Sequence, residues 1–221
     1  MYPDKIGLVT YSKKEDRLNA ITHAAGVLLA AAVLIVTLSR SIAAGKANMI
    51  ISAVVYGVSM MVLYGASAFY HGLPAGNLKK IARVLDYSMI FILIAGTATP
   101  CALISLYEKD PVHCWFVFFV AWGCALAGIL STVFLFEKTK ALRMVLYIGE
   151  GVVMFASVYP IIDMINKRAL GILILGGLIY VAGMLFLRMG RKRAYAHTVF
   201  HLFVLAGSVT HFYVMIKYIF V

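Results

Sequence analysis

The sequence predicts an all-α membrane protein built as a bundle of seven transmembrane helices. Of its 221 residues, 63% are hydrophobic and only 13% are charged. The apolar residues form long runs instead of amphipathic stripes, and a soluble domain of this length could not bury so much apolar surface in one core. Backbone groups in lipid must satisfy their hydrogen bonds within the segment, so we expect helices and not strands.

Seven apolar runs are each close to the roughly 20 residues that a helix needs to cross a bilayer. We expect one domain over residues 1–221, with helices at about 19–38, 48–70, 83–106, 112–136, 142–162, 170–187 and 196–219. Glycine and alanine recur in these runs, as close helix packing in membranes requires. Pro100 is expected to kink the third helix or to end it early.

The basic residues predict the orientation of the bundle. If the amino terminus is cytoplasmic, the segments on that side hold 14 of the 20 lysines and arginines. The bias predicts a cytoplasmic amino terminus and a carboxyl terminus outside. The net charge of +11 lies in short clusters between the apolar runs, so it does not indicate a nucleic-acid partner. The three cysteines (Cys101, Cys114 and Cys124) form no CxxC motif and predict neither a disulfide nor a thiolate metal site.

Ionisable side chains converge near the predicted cytoplasmic face. His197 and His201 are four residues apart, so they lie on one face of the seventh helix, in its first two turns. His71 ends the second helix on the same side, and Asp86 lies near the start of the third. Ser67 lies one turn deeper than His71. Polar groups at this depth are expensive and therefore indicate a functional site.

A zinc site suits these residues. Neutral imidazole is a good Zn²⁺ ligand, and His-x-x-x-His lets both rings of one helix reach a single ion. With His71 as a third ligand, the fourth tetrahedral position stays open, as in catalytic zinc sites, and Asp86 is placed to hold an activated water or to bind the metal. Two duller interpretations stay open. The histidines can snorkel towards the headgroups, or a metal can simply join helices two, three and seven.

Other polar residues have less defined roles. A group at the entry of the first helix either caps that helix or orients the ligands, and capping is favoured for the two acids; the group is Glu15, Asp16, Asn19 and His23. Glu150, in the fifth helix, can line a polar cavity. His211 lies deeper in the seventh helix, and we expect a hydrogen-bonded core histidine there.

Taken together, the motifs resemble the hemolysin III family, which belongs with the progestin and adiponectin receptors and, more distantly, with the alkaline ceramidases. The resemblance covers nearly the full chain. It is carried by Glu15-Asp-Arg-Leu-Asn19-Ala-Ile-Thr-His23, Ser67-x-x-x-His71, Arg83-Val-Leu-Asp86-Tyr, Ala95-Gly-Thr-Ala-Thr-Pro100 and His197-x-x-x-His201.

This resemblance implies seven helices, a cytoplasmic amino terminus and a zinc ion near the cytoplasmic face. By motif, His71, His197 and His201 match the zinc ligands, Asp86 matches the carboxylate near the zinc water, and Ser67 matches a neighbouring hydroxyl. The absence of a long soluble amino-terminal domain resembles the bacterial branch and implies a bacterial cell membrane.

Three functions stay open at this point. The first is a zinc-dependent hydrolase of a ceramide-like lipid amide that enters sideways from the inner leaflet; its lipid part rests on the resemblance. The second is a non-catalytic membrane receptor or homeostasis factor with a structural zinc. The third, a pore or cytolysin, is disfavoured because the intramembrane charges cluster at one face and no secretion signal precedes the first helix.

Overall fold

The computed structural model describes residues 6–139, 142–158, 166–190 and 193–221, with the backbone alone for 154–158. In these ranges the chain forms seven α-helices and no strand. The helices are α1 (Lys13–Ala44), α2 (Ala47–Gly72), α3 (Asn77–Leu103), α4 (Pro111–Phe134), α5 (Arg143–Val158), α6 (Lys167–Met189) and α7 (Ala196–Val214), and one turn of π-helix follows over Met215–Ile219. Six of these elements, all but α5, are long and apolar enough to cross a membrane.

The first helix starts six residues before the predicted position, and a capping box explains the difference. The Ser12 hydroxyl accepts a hydrogen bond from the Glu15 backbone N–H (3.2 Å), and Glu15 Oε2 accepts one from the Ser12 N–H (3.0 Å). Two of the unpaired N–H groups at the helix start are satisfied in this way. The predicted start at Asn19 was therefore wrong, because hydropathy marks the part of a helix in lipid and not its polar ends.

The other predicted bounds differ for similar reasons. Helix α3 begins at Asn77 instead of residue 83 and ends at Leu103, so Pro100 lies in its last turn. Helix α7 ends at Val214, and the π-helical turn after it is closed by a hydrogen bond from the Phe220 N–H to the Met215 carbonyl (2.8 Å). Residues 159–165, in the predicted fifth helix, lie outside the described residues, as do four basic residues of the orientation argument (Lys5, Lys140, Arg191 and Lys192).

Helices that follow one another in the chain pack against each other, and the weakest of these contacts in the described residues is that between α5 and α6. Helix α1 packs on α2, α2 on α3, α3 on α4 and α6 on α7, and α7 returns to contact α1. Within the described residues, α5 contacts α6 only weakly. Glycines allow the closest approaches: a Cβ on Gly26 would lie 2.4 Å from the Tyr64 ring. Among the described residues, the bundle is therefore tight around α1, α2, α3 and α7, and α5 and α6 make few contacts with each other.

The residues before α1, which we call the N-terminal segment (6–12), lie across one end of the bundle. Ile6 is buried, the Gly7 N–H donates to Glu137 Oε1 (3.2 Å), and the Gly7 carbonyl accepts from Arg83 Nη1. The guanidinium groups of Arg83 and Arg143 lie 5.2 and 4.1 Å from the Phe136 ring centroid, within range of cation–π attraction. These contacts hold the N-terminal segment against α3 and the turn after α4.

Two glycines of α4 test this packing. A Cβ on Gly128 would lie 2.3 Å from Phe91 Cε1, whereas one on Gly123 has no neighbour within 4 Å. Phe91 is buried against Tyr147 and has little room to move. We expect Gly128→Ala to destabilise the protein by about 1–3 kcal/mol and Gly123→Ala to be neutral or slightly stabilising, because alanine favours the helix. Thermal unfolding in detergent measures both, and equal melting temperatures would contradict the packing described here.

Candidate metal centre

Three buried histidines from two helices meet at one point. His71, in the last turns of α2, and His197 and His201, in the first turns of α7, are 2%, 5% and 1% exposed. His197 Nε2 lies 3.1 Å from His71 Nε2 and 3.1 Å from His201 Nε2. One ring nitrogen from each residue lies within 4.8 Å of the other two, an arrangement that can hold a metal ion. The structure thus brings together the three histidines that the sequence singled out.

Hydrogen bonds on the far side of two rings fix their tautomers. His71 Nδ1 lies 2.9 Å from Asp16 Oδ1, and His201 Nδ1 lies 3.1 Å from the Asn19 carbonyl oxygen. Carboxylate and carbonyl oxygens only accept, so both Nδ1 atoms carry the proton. In the neutral rings, the Nε2 atoms of His71 and His201 are then bare lone pairs that point at His197. A partner on the second nitrogen is what metal-binding histidines almost always have.

The arrangement of the three Nε2 atoms is better explained by a shared cation than by hydrogen bonds between the rings. The His197 Nε2 can supply one proton at most, but two lone pairs face it at 3.1 Å, so at least one close contact between acceptors would stay uncompensated. An ion shared by all three nitrogens removes that conflict. Ligand nitrogens about 2.0–2.1 Å from a tetrahedral ion lie about 3.3 Å apart, close to the spacing seen here.

Helix α1 aligns the two histidine-bearing helices. Asn19 Oδ1 accepts a hydrogen bond from Thr198 Oγ1 (2.6 Å), and the His23 ring stacks on His201 with centroids 3.6 Å apart. Glu15 Oε1 accepts from the Tyr195 backbone N–H (2.7 Å), just before α7 begins. Tyr195 adopts a left-handed conformation (φ 60°), which is uncommon without glycine. The Glu15 contact therefore holds the strained residue that starts α7.

Tyr11, from the N-terminal segment, covers the histidines. Its ring lies 5.2 Å from the His197 ring centroid, nearly parallel to it, and 5.6 Å from the His71 centroid. Burial raises the pKa of the Tyr11 phenol above its ordinary value, so the hydroxyl stays protonated at neutral pH. The N-terminal segment thus closes the bundle end at which the histidines lie.

A large cavity runs from the histidines into the bundle. Its volume is about 490 Å³, and α3, α5, α6 and α7 supply a mostly apolar lining. His197 and His201 lie at one end, while His211 and Ile219 lie further along α7. Two lining residues, Val152 of α5 and Leu178 of α6, are 59% and 60% exposed, so the cavity reaches the outer surface where these helices separate.

The two candidate catalytic residues also line this cavity. Asp86 lies close enough to interact electrostatically with His71 and Ser67. The Ser67 hydroxyl is buried, and it interacts with the Asp86 carboxylate, although no hydrogen bond of standard geometry is formed by this hydroxyl among the described residues. Asp86 and Ser67 therefore lie together in the cavity that His197 and His201 also line. No contact joins Asp86 directly to a histidine nitrogen in the described set, so the structure places it beside the centre and not among its three nitrogens.

The remaining predictions have mixed outcomes. His23 faces the centre, as its position indicated. His211 is hydrogen-bonded, because its Nε2 lies 3.0 Å from the Leu173 carbonyl oxygen. Glu150 is buried and is not among the residues that line the large, mostly apolar cavity, so a polar cavity at Glu150 stays a prediction. The three cysteines are free.

For Asp16 the sequence left two roles open, and the structure shows the contact with a histidine instead of the favoured capping role. Glu15 caps α1 as expected, but Asp16, also in the first turn, uses its two oxygens to bind His71 Nδ1 (2.9 Å) and Lys79 Nζ (2.8 Å). Tyr11 was missed altogether. For Asp16 a signal existed: it shares a helix face with Asn19 and His23, three and seven residues on. Tyr11 lies outside any helix and gave no periodic signal.

Known proteins of similar sequence match nearly the full length of the chain. A family profile described as Haemolysin-III related matches residues 11–212. Hemolysin-3 of Bacillus cereus is 32% identical over 216 residues, which cover 98% of this chain and 97% of that protein. The Hemolysin-3 homolog of Bacillus subtilis (strain 168) is 33% identical over 208 residues, or 94% and 96% of the two chains.

A human protein is also similar. The monocyte to macrophage differentiation factor of Homo sapiens is 27% identical over 175 residues, which cover 77% of this chain and 71% of that protein. The resemblance inferred from the motifs is thereby confirmed. Together with the six apolar helices, these similarities identify a multi-pass membrane protein.

The Asp16–His71 contact generates a prediction for the metal centre. We expect Asp16→Asn to weaken metal binding about 10- to 100-fold, because the amide no longer fixes the His71 tautomer or raises its basicity. Competition with a chelator of known affinity measures the change. Asp110→Asn is the matched control. Asp110 caps α4, and asparagine caps a helix equally well, so the metal affinity of this variant should equal that of the wild type. Equal affinities for the Asp16 variant and the wild type would contradict this role.

Proposed function

The chain belongs to the haemolysin-III-related family, and on that premise we propose that it is a zinc-dependent hydrolase of a membrane lipid amide. One observation carries the proposal. Three buried imidazole nitrogens face a common point, and two of the three histidines, His197 and His201, line an otherwise mostly apolar cavity that reaches the outer surface. A site that combines a metal-binding end with an apolar channel suits a molecule with one reactive polar group and long hydrocarbon chains.

Zinc is the metal that this donor set favours. The three donors are neutral imidazole nitrogens, which suit zinc among the first-row metals, and no thiolate lies in the group. Three protein ligands leave one tetrahedral position for a water or a substrate atom, as in catalytic zinc sites. When bound, the ion supplies Lewis-acid chemistry: it polarises a carbonyl group and acidifies water.

The residues around the histidines supply the remaining parts of an amide hydrolysis. Asp86, in the same cavity, takes the proton of the attacking water and returns it to the leaving amine as general base and then acid. The Ser67 hydroxyl, which lies beside Asp86, turns to the substrate oxygen and donates to it as negative charge develops there. Tyr11 keeps bulk water from the histidines on the side of the N-terminal segment.

The substrate follows from the cavity and the orientation. The basic residues favour a cytoplasmic position for the end that holds the metal centre, in the cell membrane. A lipid of the inner leaflet then enters sideways between α5 and α6, where exposed lining residues meet the hydrocarbon. An amide such as that of a ceramide-like lipid places its carbonyl near the histidines and its chain along the apolar lining. The proposal that the substrate is an amide is based on the family resemblance. The proposal that it carries a hydrocarbon chain is based on the apolar lining of the cavity.

The hydrogen bonds around the histidines support a second candidate, a non-catalytic receptor or membrane-homeostasis factor. The metal ligands and their partners come from α1, α2 and α7, so an ion bound there joins three helices. A structural role predicts that metal removal lowers the melting temperature while no lipid is consumed. The two functions differ in one observable, which is turnover.

Purified protein in lipid-detergent micelles tests the hydrolase. We expect release of fatty acid from a ceramide-like amide, lost on chelation and in His197→Ala. Asp86→Asn should lower the rate constant about 10²- to 10⁴-fold with metal content unchanged, because it removes the proton carrier and no ligand. His113→Ala, at the opposite end of the bundle, is the control and should retain activity. Full metal loading without turnover across a panel of lipid amides would favour the structural role instead.

A further inference from the structure

We propose that His211 and Tyr180 form a second polar subsite in the cavity, which binds a hydroxyl group on the hydrocarbon chain of the lipid; this rests on the proposed lipid-binding function. Both side chains line the cavity beyond the metal centre, with ring centroids 5.4 Å apart. They interrupt a lining that is otherwise largely apolar there, and a buried polar atom without a hydrogen-bond partner is costly.

His211 offers a hydrogen-bond acceptor. Its Nε2 lies 3.0 Å from the Leu173 carbonyl oxygen, and because a carbonyl cannot donate, Nε2 carries the proton of the neutral ring. Nδ1 is therefore a lone pair. It is buried and has no hydrogen-bond partner among the residues that the structure describes. The matching group on a ligand must be a proton donor.

Tyr180 offers a hydrogen-bond donor, as the assignment of donors and acceptors in one short hydrogen-bond chain shows. Tyr64 Oη donates to Ser208 Oγ (2.6 Å), and Ser208 Oγ lies 2.8 Å from Tyr180 Oη. If Tyr180 also donated to Ser208, the buried serine proton would have no acceptor. The satisfied arrangement runs from Tyr64 to Ser208 to Tyr180, and it leaves the Tyr180 phenol proton free.

Two glycines hold both rings in place. A Cβ on Gly176 would lie 2.3 Å from His211 Cδ2, and one on Gly207 would lie 2.7 Å from Tyr180 Cε1. The helices α6 and α7 therefore approach closely at these rings, and neither side chain has much freedom to turn away. A fixed acceptor and a fixed donor are preorganised for one ligand group.

The ligand group that uses both is a hydroxyl, which donates one hydrogen bond and accepts another. A carbonyl would leave His211 unsatisfied, and a methylene would leave both unsatisfied. His211 lies ten residues beyond His201 on α7, which is about 15 Å along the helix axis. An extended chain that starts at the metal centre covers this distance in about twelve carbons. The subsite thus selects lipids with a hydroxyl in the middle of the chain.

Competition binding to the purified protein tests the subsite with stearic acid and 12-hydroxystearic acid as probes. The wild type should bind the hydroxylated acid about five- to tenfold more tightly, since two buried hydrogen bonds are gained and one hydroxyl is desolvated. Tyr180→Phe removes a single oxygen, and His211→Phe removes the acceptor; each should bring the ratio close to one. Tyr213→Phe, on the exposed side of α7, should keep the preference.

Each result has one meaning. Equal binding of the two acids by the wild type, or a preference that survives in both subsite variants, overturns the subsite. The subsite is also overturned if the wild type prefers 2-hydroxystearic acid over stearic acid as strongly as it prefers the 12-hydroxy isomer. The His197→Ala variant separates the two proposals: weaker binding of both acids with the ratio retained supports a metal anchor and the subsite. Unchanged affinity for both acids with the ratio retained would remove the metal anchor and leave the subsite standing.

Discussion

The convergence of three imidazole nitrogens is the constraint on which the rest of the structure depends. His71 and His201 present bare Nε2 atoms because Asp16 and the Asn19 carbonyl bind the opposite nitrogens. Those partners lie on α1, so the site forms only when α1, α2 and α7 are correctly positioned relative to one another along their axes. The capping box that begins α1 early and the Glu15 contact at the start of α7 maintain these positions. Local helix chemistry is thus coupled directly to the geometry of the three histidines.

The histidine centre is covered on one side and opens into a cavity on the other. Tyr11 covers it at the end where the N-terminal segment lies, while the cavity leads away from it through an apolar lining. Tight packing at glycines such as Gly26 holds α1 against α2, whereas the cavity reaches the surface at exposed lining residues such as Val152 and Leu178. The proposed lipid hydrolase would use these two sides differently, since it would hold its reactive group at the covered end and admit the lipid through the apolar side.

Much of this could be predicted from the sequence, and the limits have physical causes. Long apolar runs predicted seven helices, and the four-residue spacing of His197 and His201 with the depth of His71 predicted their convergence. Asp16 shares a helix face with Asn19 and His23, but that spacing alone did not decide between its two possible roles, and Tyr11 could not be predicted at all. Asp16 chooses between capping and a histidine by tertiary contact, and Tyr11 lies in a segment without periodicity. The cavity depends on how α5 and α6 separate, which no spacing along one helix encodes.

X-ray absorption at the zinc edge of the purified protein tests the central claim most directly. We predict about one zinc per chain, with three histidine nitrogens at about 2.0–2.1 Å. In His71→Ala and His201→Ala, the number of histidine scatterers or the zinc content should fall. Protein that carries no bound metal when supplied with zinc, or zinc whose surroundings are unchanged in both variants, would contradict the claim that His71, His197 and His201 share one ion.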